Sequence, residues 1–76
     1  MTLVEAILKR DYSIAAIKYD QHEDLAIRLN HLGFLEGETV RVHRKTPLTS
    51  SSLVVEVKGS MIALTKYEAS FITLHN

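Results

Sequence analysis

The sequence predicts a small, mainly β fold with short helices: a strongly bent β-barrel of about five strands, with a helix inserted near residues 21–32. The chain has 76 residues, 46% of them hydrophobic, which suits a single domain over residues 1–76 with a small core. Several short stretches alternate apolar and polar residues, as strands with one buried face do. A barrel suits so small a sheet because closure leaves no edge strand exposed.

The inserted helix has a marked start and one apolar face. Asp20 is a good N-cap, because its carboxylate can accept a hydrogen bond from a backbone N–H of the first turn. Glu23 follows three residues later, at the spacing of a capping box. Leu25, Leu29 and Leu32 recur at i, i+4 and i+7, so they share one face of the helix.

The end of this helix is marked by glycine. Gly33 suits the left-handed residue that ends a helix in a Schellman motif, and Phe34 falls where it packs back on Leu29. Gly37 and Gly59 provide two further permissive turn positions. We expect all three glycines to serve backbone geometry.

The other elements are short. In chain order we predict a helix over residues 2–9, strands over 12–19, 39–45, 53–58 and 61–64, a helical turn over 65–68 and a last strand over 71–75. Thr2 and Glu5 have capping-box spacing, and Gly59-Ser60 is the hairpin signal. Such strands and tight corners are typical of SH3-like barrels.

For two of the strands the sequence also predicts details of side-chain placement. Ile14 and Ile17 are three residues apart, so placing both requires either a bulge or a strand that is buried on both faces. The strand over 39–45 alternates cleanly, with Val40 and Val42 on one face. Arg41, His43 and Lys45 are expected on the other face.

Composition excludes several classes of function. The formal net charge is zero and there is no cysteine, so disulfides, thiolate metal sites and cysteine nucleophiles are ruled out. Zero net charge also argues against nucleic-acid binding, although Arg41, His43, Arg44 and Lys45 form a basic strip. We expect a solvated face or a docking surface for an acidic partner there.

Catalytic and strong metal motifs are missing. Ser50, Ser51 and Ser52 have no neighbouring base, and the scattered glycines form no phosphate loop, so we expect no enzyme. The histidines at positions 22, 31, 43 and 75 match no zinc spacing. His22 with Glu23 or Asp24 is the one weak cation site.

The chain contains no apolar run near the roughly 20 residues of a spanning helix. Residues 1–11 also lack the basic leader of a signal peptide. We therefore expect a cytoplasmic domain with no direct membrane insertion. Leu48, an apolar residue directly after Pro47 in a polar loop, either caps the barrel or anchors a partner.

Residues 28–42, which contain the end of the helix and the start of the next strand, resemble the signature of the FeoA family, and so do the residues that follow them. The members of this family are small cytosolic proteins of bacterial ferrous-iron uptake. The matching residues are Arg28, Leu29, Leu32, Gly33, Phe34, Gly37, Val40, Val42, Pro47, Val55, Glu56, Val57, Gly59, Ser60, Ile62, Ala63, Leu64, Glu68, Ala69 and Ile72. They cover residues 12–75 in family-like order and spacing. The chain departs from the family pattern at Arg10-Asp11, where a glycine is usual, and in the loop after Pro47.

The resemblance implies an SH3-like barrel that acts as an accessory to the FeoB-type membrane permease, which carries a cytosolic GTP-binding domain. The candidate partner-binding residues are Arg28, Leu29, Leu32, Pro47 and Leu48. Two alternatives stay open: direct binding or delivery of ferrous iron through His22, Glu23 and Asp24, and self-association into a homo-oligomer. The same barrel is also the C-terminal domain of iron-dependent repressors of the diphtheria-toxin-repressor type.

Overall fold

The computed structural model describes residues 1–18, 23–46 and 52–75. The strands are β1 (Asp11–Ile17), β2 (Thr39–Lys45), β3 (Ser52–Val57), β4 (Ser60–Thr65) and β5 (Ile72–Leu74); the helices are α1 (Glu23–His31) and α2 (Lys66–Ala69), and a 3₁₀ turn spans Leu3–Glu5. The strands form one antiparallel sheet in the order β4-β3-β2-β1-β5. The mainly β class, the five strands and the inserted helix are confirmed. The expected closure is incomplete, because β4 and β5 do not pair with each other in the described sheet and the outer edge of β4 has no partner strand there.

One apolar core lies under this bent sheet, because alternate residues of each strand face inward. In β3 the inward residues are Leu53, Val55 and Val57, as predicted, and in β2 they are Val40 and Val42. The 3₁₀ turn, α1, the α1–β2 connection, α2 and β5 complete the core with Leu3, Leu29, Phe34, Ala69, Ile72 and Leu74.

Two bulges adjust the faces of the strands. Of the two possibilities left open for β1, the structure has the bulge, because the register against β5 shifts between Ile14 and Ala16. A second bulge in β2, between Val42 and Arg44, was not expected. It places Lys45 opposite the buried Leu53, so Lys45 shares the face of Leu53 while its side chain stays exposed at the end of the strand. The expectation that Lys45 shares a face with the outward residues of β2 is therefore wrong.

Helix α1 ends in the predicted Schellman motif. The N–H of Phe34 donates to the carbonyl of Leu29 at 3.0 Å, and the N–H of Gly33 donates to that of Asn30 at 3.0 Å, which are the two bonds of that motif. Gly33 has φ +106°. Both Phe34 and Leu29 are fully buried. The predicted N-cap at Asp20 lies outside the described residues.

The predicted helix over residues 2–9 is only the three-residue 3₁₀ turn. Its capping residues are correct, since the Glu5 carboxylate accepts from the Thr2 N–H at 2.8 Å. The chain then becomes extended at Ala6, and the Lys9 N–H donates to the carbonyl of Val42 in β2 at 2.8 Å. The sheet thus satisfies a backbone group that a longer helix would have used.

The β3–β4 hairpin turns one residue earlier than predicted. Val57 pairs with Ser60, so the two turn residues are Lys58 and Gly59, with φ +50° and +78°. Positive φ at both positions is the type I′ turn, whose twist matches that of the strands. The predicted capping box at α2 is confirmed, because Thr65 Oγ1 accepts from the Glu68 N–H at 3.0 Å.

Replacing Gly33 by alanine should lower the free energy of unfolding by about 1–2 kcal/mol, because a residue with a Cβ is strained at this left-handed φ. A Cβ at Gly33 would meet side-chain atoms of Lys58 at 3.4 Å and Val57 at 3.8 Å, which are ordinary contacts. Backbone strain therefore accounts for most of the expected loss of stability. Urea unfolding measures the loss. Gly59→Asn is the control: nothing lies within 4 Å of its Cβ, asparagine tolerates this turn position, and an equal loss there would contradict the account.

Glu5 should make stability depend on pH. The Thr2 N–H, and then the Thr2 hydroxyl, hold the pKa of Glu5 below its ordinary value. A group with a lowered folded-state pKa stabilises the fold above its unfolded pKa and loses that contribution as the pH falls through the folded pKa. Glu5→Gln should therefore lower the urea midpoint at about pH 7 and lower it less at about pH 2.5. A difference that is independent of pH would contradict this.

Candidate docking site

Helix α1 offers the clearest outward apolar side chain near the predicted partner-binding residues. Leu29 faces the core, with Leu25 and Leu32 partly buried against it. Ile27 points away and is 52% exposed. It lines a shallow hollow of about 250 Å³ together with Glu23, Ala26 and Asn30. These residues recur at i, i+3, i+4 and i+7 and therefore form one face of the helix.

An ion pair joins α1 to α2. Arg28 Nη1 donates to Glu68 Oε2, and the other oxygen of Glu68 accepts from the Thr65 N–H at 2.8 Å. The Glu68 side chain is only 13% exposed, whereas that of Arg28 is 55% exposed. One well-shielded carboxylate thus caps α2 and connects it to α1. The pairing orients Arg28 without burying it.

Helix α2 also carries an exposed aromatic residue. Tyr67 precedes Glu68 in α2 and is 57% exposed. Its ring packs edge-on against Phe71, with 5.1 Å between the ring centroids. Large rings of this kind, amphipathic and held in place, are frequent at protein interfaces.

The predicted partner-binding residues have different environments. Arg28 is exposed and Leu32 is partly buried, but Leu29 is completely buried and packs in the core. Pro47 and Leu48 lie outside the described residues. Sequence reasoning missed Ile27 and Tyr67. The available signal for Ile27 was its position away from the apolar face of the helix.

The basic strip of β2 is largely engaged within the protein. Arg41 Nε donates to Asp11 at 2.8 Å, which raises the pKa of the guanidinium above its ordinary value. His43 lies between Lys9 and Glu56, with 3.1 Å from Nδ1 to the ammonium and 2.7 Å from Nε2 to the carboxylate. These contacts leave few free cations for a phosphate backbone.

Lys45 connects β2 to the N-terminal segment. Its ammonium donates to the carbonyls of Val4 and Ala6 at 3.0 and 2.7 Å. Within the described residues, Arg44 is the one member of the strip for which no hydrogen bond or ion pair is found. The strip therefore holds residues 4–9 against the sheet.

A polar cleft of about 490 Å³ opens between β1, β2 and β3. Both cations of its lining face an acid: Arg41 faces Asp11, and Lys58 faces Glu38 at 3.5 Å. The third acid of the lining, Glu56, contacts His43 at 2.7 Å. The cleft therefore presents no free cation that would select an anionic ligand.

The weak cation candidates are only partly described. Glu23 and Asp24 are exposed in the first turn of α1, and His22 lies outside the described residues. Across residues 1–18, 23–46 and 52–75 no group of three or more metal-binding side chains comes together. No helix in this described part of the chain is long and apolar enough to cross a membrane.

Comparison with solved structures confirms the SH3-like fold. FeoA from Stenotrophomonas maltophilia, complexed with zinc and described as an SH3-domain protein, matches with a TM-score of 0.86 and 33% identity, covering 99% of this chain and 89% of that one. FeoA from Chlorobium tepidum matches with a TM-score of 0.83 and 25% identity, covering 99% and 69%.

Two longer proteins share the fold over part of their length. ScaR with bound Zn²⁺ matches with a TM-score of 0.81 and 31% identity, covering 97% of this chain but 35% of that one. A manganese-dependent transcriptional repressor matches with a TM-score of 0.83 and 15% identity, covering 95% of this chain and 39% of that one, so the predicted link to repressor domains is seen at the level of fold. None of the curated proteins matches the chain significantly in sequence.

The family model of the FeoA domain matches residues 1–75, which is nearly the whole chain. The corner at Gly33 and Phe34, the hairpin at Gly59 and the capped α2 are all elements within that match. This chain therefore belongs to the FeoA family, which is associated with ferrous-iron transport.

Proposed function

We propose that this protein is a non-enzymatic, cytoplasmic accessory of bacterial ferrous-iron uptake that docks on the FeoB-type membrane permease. Family membership supports the link to iron uptake. The observation that carries the docking proposal is the exposed Ile27 on a helix anchored by the buried Leu29 and by the Arg28–Glu68 pair. A fixed apolar side chain binds at lower entropic cost than a mobile one.

The proposed docking surface comprises the outward face of α1 together with Tyr67 of α2. Ile27 is the exposed apolar side chain of the α1 face, Glu23 and Arg28 are polar residues of the same helix, and Tyr67 is a second exposed side chain. The Pro47-Leu48 segment, which lies outside the described residues, stays a further candidate. An apolar centre with a polar rim is the usual organisation of a protein interface. The GTP-binding domain of the permease is the proposed partner region.

Ile27→Asp should weaken capture of the permease by about tenfold or more, because a charge would be placed at the apolar centre of the interface. The tagged protein is used to capture permease from native membranes, and bound permease is quantified against protein concentration. Ile7→Asp is the matched control, since Ile7 is also an exposed isoleucine, at 55% against 52%. Equal effects of the two variants would remove α1 from the interface.

Leu48→Asp, measured in the same assay, tests whether the Pro47-Leu48 segment contributes to docking. Urea unfolding checks that this variant still folds. Capture with GDP and with a non-hydrolysable GTP analogue tests the partner region. Dependence on the nucleotide supports docking at the GTP-binding domain, and no capture by the folded wild-type protein would refute the proposal.

Direct binding of ferrous iron is the second candidate function. It is favoured by the zinc present in the Stenotrophomonas maltophilia relative and by the adjacent exposed carboxylates of Glu23 and Asp24. Carboxylate and imidazole groups both bind divalent first-row metals. With His22 they would supply three ligands.

Anaerobic titration with ferrous iron, followed by calorimetry, tests this second function. Metal binding through these residues predicts saturable binding that Glu23→Gln with Asp24→Asn weakens by about tenfold or more, because two anionic ligands are lost. Glu36→Gln is the control for general loss of negative charge. No saturable binding below about 1 mM would exclude a delivery role and would leave the docking proposal unaffected.

A further inference from the structure

The two edge strands of the sheet, β5 and β4, differ in whether another segment covers their outer edge. At one end, the N-terminal residues cover β5: the Leu74 N–H donates to the Met1 carbonyl at 2.8 Å, and Thr2 forms a bridge with Thr73. At the other end, β4 pairs with β3, and within the described residues no strand pairs with its second edge. An open edge of this kind is a template for another strand.

Hydrogen-bond directions identify the free groups of this edge. The Thr65 N–H donates to Glu68 at 2.8 Å, so it points away from β3. Residues two apart on an antiparallel strand point their backbone groups the same way. The N–H and C=O groups of Met61 and Ala63 therefore also point away from β3. The hairpin agrees, because Ser60, paired with Val57 at the two-residue turn, directs its groups toward β3.

Nothing in β4 protects the edge. Natural edge strands are commonly protected by lysine, proline or an inward charge, whereas the sequence of β4, Ser-Met-Ile-Ala-Leu-Thr, contains none of these. Met61 is 59% exposed, and Ala63 is also exposed. The pairing of β4 with β3 shows no bulge, so the edge is regular over the whole strand.

We propose that this edge is a self-association site at which β4 of a second copy pairs antiparallel with β4, about a two-fold axis at Ile62. In this register Met61 of each copy faces Ala63 of the other. The four N–H and C=O groups of Met61 and Ala63 in each copy are then hydrogen-bonded, and the two sheets join into one of ten strands.

Other antiparallel registers are poorer. A two-fold axis at Ala63 would pair Met61 with Thr65, whose N–H already binds Glu68. An axis at Met61 would pair Ala63 with Gly59, which belongs to the turn. Of these three registers, only the one with its axis at Ile62 avoids both the engaged N–H of Thr65 and the turn residue Gly59. A C₂ contact uses the same surface on both copies, and an uncharged strand can meet its own copy without repulsion between like charges.

A single engineered cysteine tests the geometry, because the chain has none of its own. At the proposed axis, Ile62 faces Ile62 of the other copy in a non-hydrogen-bonded pair, where Cα atoms lie about 4.5 Å apart, within the range of a disulfide. Ile62→Cys should form a covalent dimer under mild oxidation. Ala16→Cys, an exposed position on the interior strand β1, is the control, and equal crosslinking of the two would overturn the proposal.

Sedimentation equilibrium over a range of concentrations tests the wild-type association. We expect a monomer–dimer equilibrium whose dissociation constant rises about tenfold or more in Met61→Lys, because lysine on an edge disfavours strand pairing. Met61 is exposed, so the variant should fold. Ala63→Pro removes an outward N–H and should act in the same way. Ile27→Lys is the control for added charge.

The outcomes separate this inference from the docking proposal. A wild-type protein that stays monomeric up to about 1 mM, or a dimer that Met61→Lys and Ala63→Pro leave unchanged, overturns the self-association site. If the protein is monomeric but Met61→Lys weakens permease capture, the edge receives a strand of the permease and the proposed second copy is wrong. Neither result depends on the outward face of α1, so each one tests the self-association site separately from the docking proposal.

Discussion

The turn that ends α1 controls how the helix sits on the sheet. Gly33 in its left-handed conformation reverses the chain so that Phe34 enters the core beside Leu29. The connection is then bonded to β1, since the Gly37 N–H donates to the Ile14 carbonyl at 2.8 Å and the Ile14 N–H donates to the Glu38 carbonyl at 2.9 Å. Because both the core and the backbone hold this corner, the outward direction of α1 is fixed as well.

Charged side chains in this protein mainly connect elements that are distant in sequence. Lys45 and His43 of β2 attach the N-terminal segment and β3, and Glu68 attaches α1 to the capped α2. Exposed ion pairs add little stability each, so the core supplies most of the stability. The ion pairs mainly orient these elements relative to one another. Because most cations of β2 are paired in this way, a chain with zero net charge can carry a basic strand without a broad basic surface.

The proposed docking surface and the proposed self-association site occupy different parts of the molecule. The first lies on helices that the core and an ion pair hold in place, and the second is the open edge of β4. The N-terminal residues cover the opposite edge at β5, which leaves strand pairing to β4. A dimer joined at β4 would therefore present two copies of the α1 face, and two linked sites bind a partner with two sites more tightly than one does.

Much of the fold was determined by local sequence. The alternation in β3, the capping box at α2 and the glycine end of α1 were all predicted correctly, because each depends on residues within a few positions of one another. The spacing of Ile14 and Ile17 gave the bulge in β1 as one of two possibilities. The family could also be identified, since its motif residues are themselves these turn and core positions.

Tertiary structure alone decided the rest. The bulge at His43 in β2 moved Lys45 to the face of Leu53, and the sheet bond to Lys9 ended the first helical turn early. Whether Ile27 and Tyr67 are exposed, and which edge of the sheet stays open, depend on contacts between residues far apart in the chain. Local patterns determine which face of an element is apolar, but only packing determines what covers that face, and the candidate surfaces consist of what is left uncovered.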